Sequence, residues 1–130
     1  MKKIVIAGGC FWGVEEYYRR LKGILNTRVG YAQGSIENPS YQQVCTGQTN
    51  HAEVVDIEYD ENLISLEKIL EHLFRIVDPT SLNKQGGDRG TQYRVGVYPS
   101  QLEELERVKA YYELRQKDYS KPLVMEDELL

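Results

Sequence analysis

The sequence predicts an α+β chain: a mixed, mostly antiparallel sheet with helices packed on it in a two-layer sandwich. Three observations predict it. The apolar residues near the start run without alternation, those from Ala52 to Tyr59 alternate, and two later segments repeat at helical spacing between strand patterns.

The elements follow in order. Lys2 to Ala7 is a short, unalternating apolar run that suits a central strand buried on both faces. From Phe11 the period changes: Phe11, Val14, Tyr18 and Leu21 recur at helical spacing, and Gly23 follows as a stop. Residues 24–31 read as a second strand. A Gly/Asn/Pro/Ser-rich loop comes next, then a short turn around Tyr41 to Cys45. Ala52 to Tyr59 is a strand. Ser65 caps an amphipathic helix carrying Leu66, Ile69, Leu70, Leu73 and Val77. Residues 78–91 form a long glycine-containing loop, and Gln92 to Tyr98 is another strand, ended by Pro99. Ser100 opens the last helix in a capping box with Glu103, and Leu102, Leu105, Val108 and Tyr112 line one face. The order β-α-β-β-α-β-α is the ferredoxin-like pattern, with the helices on one side of the sheet.

Bulk properties narrow the function. A chain of 130 residues makes about one domain. Its 28% charged residues and net charge of −4 give a mildly acidic surface. Lys and Arg are scattered, so no nucleic-acid partner is expected. No apolar stretch approaches the ~20 residues that span a bilayer, so no membrane is expected either. Lys2-Lys3 followed by Ile4 to Ala7 faintly resembles a signal peptide, but the apolar run is too short for an h-region. A cytoplasmic monomer is therefore expected, with both cysteines as free thiols in a reducing compartment.

Cys10 falls where the first strand turns into the first helix. Unpaired backbone N–H groups and the helix dipole favour a thiolate there. Gly8 and Gly9 let the backbone turn tightly and leave the sulfur uncovered. Location alone leaves two readings open, a nucleophile or a small packed apolar residue. On the strand from Ala52, Glu53 shares the more apolar face with Val55, Ile57 and Tyr59. A desolvated carboxyl has its pKa raised, as a general acid requires; the alternative is a strand-end residue that reaches solvent. Tyr93 stands in the same relation to Val95 and Val97 and could hydrogen-bond a neutral Glu53, or be a core tyrosine satisfied elsewhere.

Five ordered blocks then match one family. Gly9-Cys10-Phe11-Trp12-Gly13, Gly30-Tyr31, the run from Asn38 to Gly47, His51-Ala52-Glu53-Val54-Val55, and the run from Gly87 to Arg94 resemble the A-type peptide methionine sulfoxide reductases, over residues 3–117 or so. The resemblance implies thiol-dependent reduction of methionine S-sulfoxide, free or in peptides and proteins, through a Cys10 sulfenic acid. It implies that Cys10 attacks the sulfoxide sulfur and that Glu53 donates the proton, while Tyr41 and Tyr93 hold the oxygen. Phe11 and Trp12 would form an apolar wall for the methyl group, and Asp88 would help position the substrate. Attack at sulfur needs a thiolate, and a sulfoxide oxygen leaves poorly unless protonated, so acid and thiolate must coexist.

A thiol must then reduce the sulfenic acid, and the implied reductants are thioredoxin, or a glutaredoxin with small thiols. No cofactor or metal is expected, since the two His and two Cys lack zinc-ligand spacing. The family usually continues into a C-terminal segment with another tyrosine and, in many members, a recycling cysteine. This chain ends at Glu126-Asp127-Glu128-Leu129-Leu130 with neither, so residues 1–130 are expected to be a single reductase domain without that segment. Tyr41, Val44 and Cys45 share one face of a helical turn, which favours Cys45 as a packed residue over a resolving thiol. The competing function is a ferredoxin-like module that senses oxidants or binds a ligand through Cys10. A thiol peroxidase would consume hydrogen peroxide instead. The chain has no C-x-x-C, so it does not resemble a dithiol oxidoreductase.

Overall fold

The computed structural model describes residues 2–33 and 51–130. The turn expected around Tyr41 to Cys45 lies outside them. The apolar start is strand β1 (Lys2–Gly8), followed by helix α1 (Phe11–Tyr18) and strand β2 (Ile24–Ala32). Strand β3 (Ala52–Tyr59) and helix α2 (Leu66–Ile76) come next. A small hairpin, β4 (Lys84–Gln85) with β5 (Asp88–Arg89), leads into a 3-10 turn at Thr91–Tyr93. Strand β6 (Val95–Tyr98), helix α3 (Leu102–Gln116) and strand β7 (Glu126–Asp127) complete the chain.

The main sheet runs β2-β3-β1-β6-β7. Its first three pairings are antiparallel and only β6–β7 is parallel. This is the mostly antiparallel, ferredoxin-like sheet the sequence predicts, with β1 at its centre. In register, Ile6 lies between Val55 of β3 and Val97 of β6.

One face of the sheet meets the helices. Ile4, Ile6, Val55, Ile57, Tyr59, Val95 and Val97 pack with Val14 and Tyr18 of α1, Ile69, Leu70 and Leu73 of α2, and Val108 and Tyr112 of α3. The buried Tyr18 satisfies its hydroxyl by donating to the Ile69 carbonyl at 2.7 Å, which ties α1 to α2. On the other face Val5, Ala7, Ala52, Val54 and Tyr98 form a smaller apolar cluster. This two-sided burial is why β1 lacks alternation. Among the described residues no helix is long and apolar enough to cross a membrane.

Four expectations need correcting. The strand expected over Gln92 to Tyr98 begins only at Val95; Thr91–Tyr93 is a 3-10 turn entered through Gly90 at φ +132°. Arg94 closes that turn by donating back to the Thr91 carbonyl at 2.8 Å. The loop read over 78–91 holds the β4–β5 hairpin. Glu126–Asp127 adds an unexpected edge strand, because Glu126 accepts from Arg94 Nε at 2.7 Å and from the Tyr98 hydroxyl at 2.6 Å. The capping box at Ser100 does not form: the N-cap of α3 is Gln101, without a side-chain cap. The first helical bond runs from Leu105 N–H to the Gln101 carbonyl, one residue later than the box requires. With that start Leu102 is 63% exposed, while Leu105, Val108 and Tyr112 are buried as expected.

Ser65, in contrast, accepts from Lys68 N–H at 3.1 Å and caps α2 as expected. Ser65→Ala should cost about 1 kcal/mol of unfolding free energy, the usual value of an N-cap, and Ser100→Ala should cost a few tenths at most. Urea titrations of the two variants check the contrast.

Candidate active site

The site is built on the turn that joins β1 to α1. Gly9 has φ +89°, a conformation that side chains disfavour, and a Cβ there would lie 2.9 Å from Cβ of Gln85. Gln85 is itself fixed: its carboxamide accepts from Asp78 N–H and donates to the Asp78 carbonyl, both at 2.9 Å. The hairpin is therefore pressed against the turn, and only glycine leaves it room. Cys10 follows as the N-cap of α1, half-buried, with extended backbone and no side-chain capping bond.

The next amide makes the decisive contact. Phe11 N–H, at the opening of α1, donates to Oε1 of Glu53 at 3.1 Å in a buried hydrogen bond. A carboxyl group from the start of β3 thus sits against the helix end that Cys10 begins. Glu53 is 2% exposed and paired in register with Tyr31 of β2. Burial pushes its pKa up; the Phe11 N–H and a hydrogen bond from the Gln92 side chain oppose that, and the charge of Asp88 adds to it. Burial is the largest of these effects, and the pKa stands raised.

Aromatic rings line the approach. Phe11 is buried and Trp12 is 63% exposed, with their rings edge to face at 5.1 Å. Phe11 also meets Tyr31 at 5.5 Å between ring centroids. The two aromatics after Cys10 therefore form a step, one ring in the core and the other standing in solvent.

The structure brings Cys10, Phe11, Glu53 and Asp88 into one neighbourhood and places Trp12 at its rim. Tyr93 is the half-buried last residue of the 3-10 turn, so its expected place beside Val95 on a strand is wrong. Tyr41 and Cys45 lie outside the described residues. The residue that sequence reasoning missed is Gln92, 4% exposed and bonded to Glu53. It lies inside the run from Gly87 to Arg94, but nothing local marks it as buried. Among the described residues no three His, Cys, Asp or Glu side chains gather as metal ligands.

Comparison with known proteins identifies the family. The family model described as peptide methionine sulfoxide reductase matches residues 2–130. The chain is 56% identical over 130 residues to a peptide methionine sulfoxide reductase MsrA of Clostridium botulinum (strain Okra / Type B1), covering 100% of this chain and 83% of that one. Among solved structures, reduced Mxr1 from Saccharomyces cerevisiae superposes with a TM-score of 0.92 at 37% identity, covering 98% of this chain and 75% of that one. Mxr1 in complex with Trx2 superposes at 0.73 with 26% identity, over the same shares of the two chains.

The raised pKa of Glu53 has a stability consequence with a definite sign. A carboxyl whose native pKa exceeds its unfolded value binds its proton more tightly in the fold, so stability falls as pH rises through the native pKa. Glu53→Gln cannot ionise and escapes that loss. Its melting temperature should rise relative to the parent as pH is raised past the carboxylate range. The gap should close in acid. Thermal melts across pH check this.

Proposed function

The chain belongs to the peptide methionine sulfoxide reductase family, and on that footing we propose that Cys10 reduces methionine S-sulfoxide, free or in peptides and proteins, with Glu53 as the acid. The observation that carries this reading is the Phe11 N–H to Glu53 hydrogen bond, which seats a buried carboxyl at the helix end opened by the thiol. Thiol and acid are thus held together without exposing the acid to water.

The roles follow from that placement. Cys10 attacks the sulfoxide sulfur, and Glu53 delivers a proton to the sulfoxide oxygen as the S–O bond breaks. The protonated oxygen leaves as water, and water then attacks Cys10 Sγ and breaks the new S–S bond. In net terms thiol plus sulfoxide gives a sulfenic acid plus the thioether, and two electrons move from cysteine to methionine sulfur. As Glu53 gives up its proton it becomes a carboxylate, and two hydrogen-bond donors already point at it. The Phe11–Trp12 step suits the substrate's methyl group. Tyr41 and Tyr93 are proposed to hold the oxygen, and Asp88, exposed on β5, to orient the substrate.

Two external thiols then return Cys10 to its reduced form, releasing water and a disulfide. The complex of Mxr1 with Trx2 supports a thioredoxin in that role, and a glutaredoxin with small thiols is the alternative supply. We take residues 1–130 as one reductase domain, monomeric and acting in the cytoplasm. A sensing role for Cys10 needs neither the buried acid nor the aromatic step, so the site favours an enzyme.

Glu53→Gln should lower single-turnover methionine formation roughly 10²-fold, the usual cost of a lost general acid, while substrate still binds. Trp12→Ala should mainly raise KM. Equal rates on the R and S sulfoxide epimers would contradict the assignment.

With no reductant present, one methionine per protein should form and Cys10 should stop as a sulfenic acid. Intact mass after the burst reads this out, and Cys10→Ser should abolish the burst whereas Cys45→Ser should not. A Cys10–Cys45 disulfide would overturn recycling by an external thiol alone and recast Cys45 as the resolving residue.

A further inference from the structure

We propose that Gln92 is a positioning residue for the reaction: from the 3-10 turn its carboxamide donates to the Glu53 carboxyl alongside Phe11 N–H, holding the acid in place and stabilising it once its proton has left. This rests on Glu53 being the acid, as proposed above.

Burial and connectivity support it. Gln92 is almost wholly enclosed and hydrogen-bonds to Glu53, so two donors from different parts of the chain, one backbone and one side chain, converge on one carboxyl. A buried polar side chain of this size is costly unless its hydrogen bonds are made. The segment that carries Gln92 is tied down around it. Gly90 N–H donates to the Asn83 carbonyl at 2.9 Å, and Tyr93 N–H donates to the Gly90 carbonyl at 3.0 Å.

Arg94 then spreads its guanidinium over three segments. It donates to the Thr91 carbonyl at 2.8 Å, to the Gln33 carbonyl at 2.9 Å and to Glu126 at 2.7 Å. The turn therefore cannot drift without breaking bonds to Gln33, just past β2, and to β7, and Gln92 is presented to Glu53 from a fixed base.

The arrangement suits a group that must change charge. A neutral Glu53 needs little help in an apolar setting, but the carboxylate left after proton transfer is expensive there. Donors already in place stabilise that anion without reorganisation. Among the charged groups, Asp88 from β5 acts on Glu53 and opposes its ionisation, while Tyr31 of β2 is its cross-strand neighbour. Gln92 is the neutral donor that offsets Asp88.

The test is the pH dependence of single-turnover methionine formation by the full chain and two variants. Gln92→Met keeps the volume and removes the donor. Gln92→Glu keeps the shape and replaces the donor with a like charge. The alkaline limb of the profile, where Glu53 loses its proton, should move to higher pH in Gln92→Met and further in Gln92→Glu. The plateau kcat should fall about tenfold in both, the scale of one hydrogen bond to a charged group, with KM little changed. A structural role would lower activity through folding and would not order the limbs in this way. Circular dichroism and melting of each variant monitor the fold, and if one variant fails to fold the other still places its limb against the parent's. An unmoved limb in a folded variant overturns the proposal. Glu53→Gln separates the two claims: if it keeps full rate, the acid assignment itself fails. If it loses rate while the Gln92 limbs stay put, only the role of Gln92 fails.

Discussion

A single buried hydrogen bond, Phe11 N–H to Glu53, organises the site. Helix openings leave backbone N–H groups without partners, and buried carboxyl groups need donors. Here each need is met by the other. The carboxyl comes from the core-facing row of β3, where Val55, Ile57 and Tyr59 exclude water beside it. The N–H comes from the residue directly after the thiol. The Glu53 carboxyl therefore lies against the helix opening that follows Cys10, where the sheet and the first helix meet.

The rest of the fold holds that meeting point from outside. Gly9 permits the tight turn, and Gln85 leans on it from a hairpin locked to Asp78. From the far edge, Arg94 and Glu126 bind the 3-10 turn to the last strand, and the Tyr98 hydroxyl shares the same Glu126 oxygen. None of these groups needs to touch a substrate. Their work is to keep β3, α1 and the turn in one mutual position, and a Glu53 that acts as the proposed acid would need that, since small misplacements cost rate steeply. The low polarity that raises the pKa of Glu53 and the donors that oppose it are thus both products of packing.

Much of this was legible before the structure, for physical reasons. β1 is an unbroken apolar run and α1, β3 and α2 bury periodic apolar rows, so these elements are plain, and Glu53 was marked by sitting on the inner row of its strand. Cys10 was marked by the change from strand period to helix period around it. What stayed hidden depends on tertiary partners. Val95 and Val97 alternate, and extending that alternation back to Tyr93 misses a turn closed by the Tyr93 N–H and by the bonds of Arg94. β7 is two acidic residues with no apolar pattern, held by the bonds of Glu126. Gln92 is chemically plain, and its burial follows from the same turn. The false capping box at Ser100 shows that a cap motif one residue out of phase with the buried face of its helix yields to that face.

The central claim is that packing keeps Glu53 protonated beyond the range of an ordinary carboxyl while holding it against the start of the thiol's helix. Isotope-edited infrared titration of the carboxyl stretch, with Glu53→Gln as the subtraction reference, measures this on the resting protein. The account predicts a protonated carboxyl band, absent from the variant, that persists as pH is raised past the usual glutamate range. A Glu53 that ionises at or below that range would contradict it.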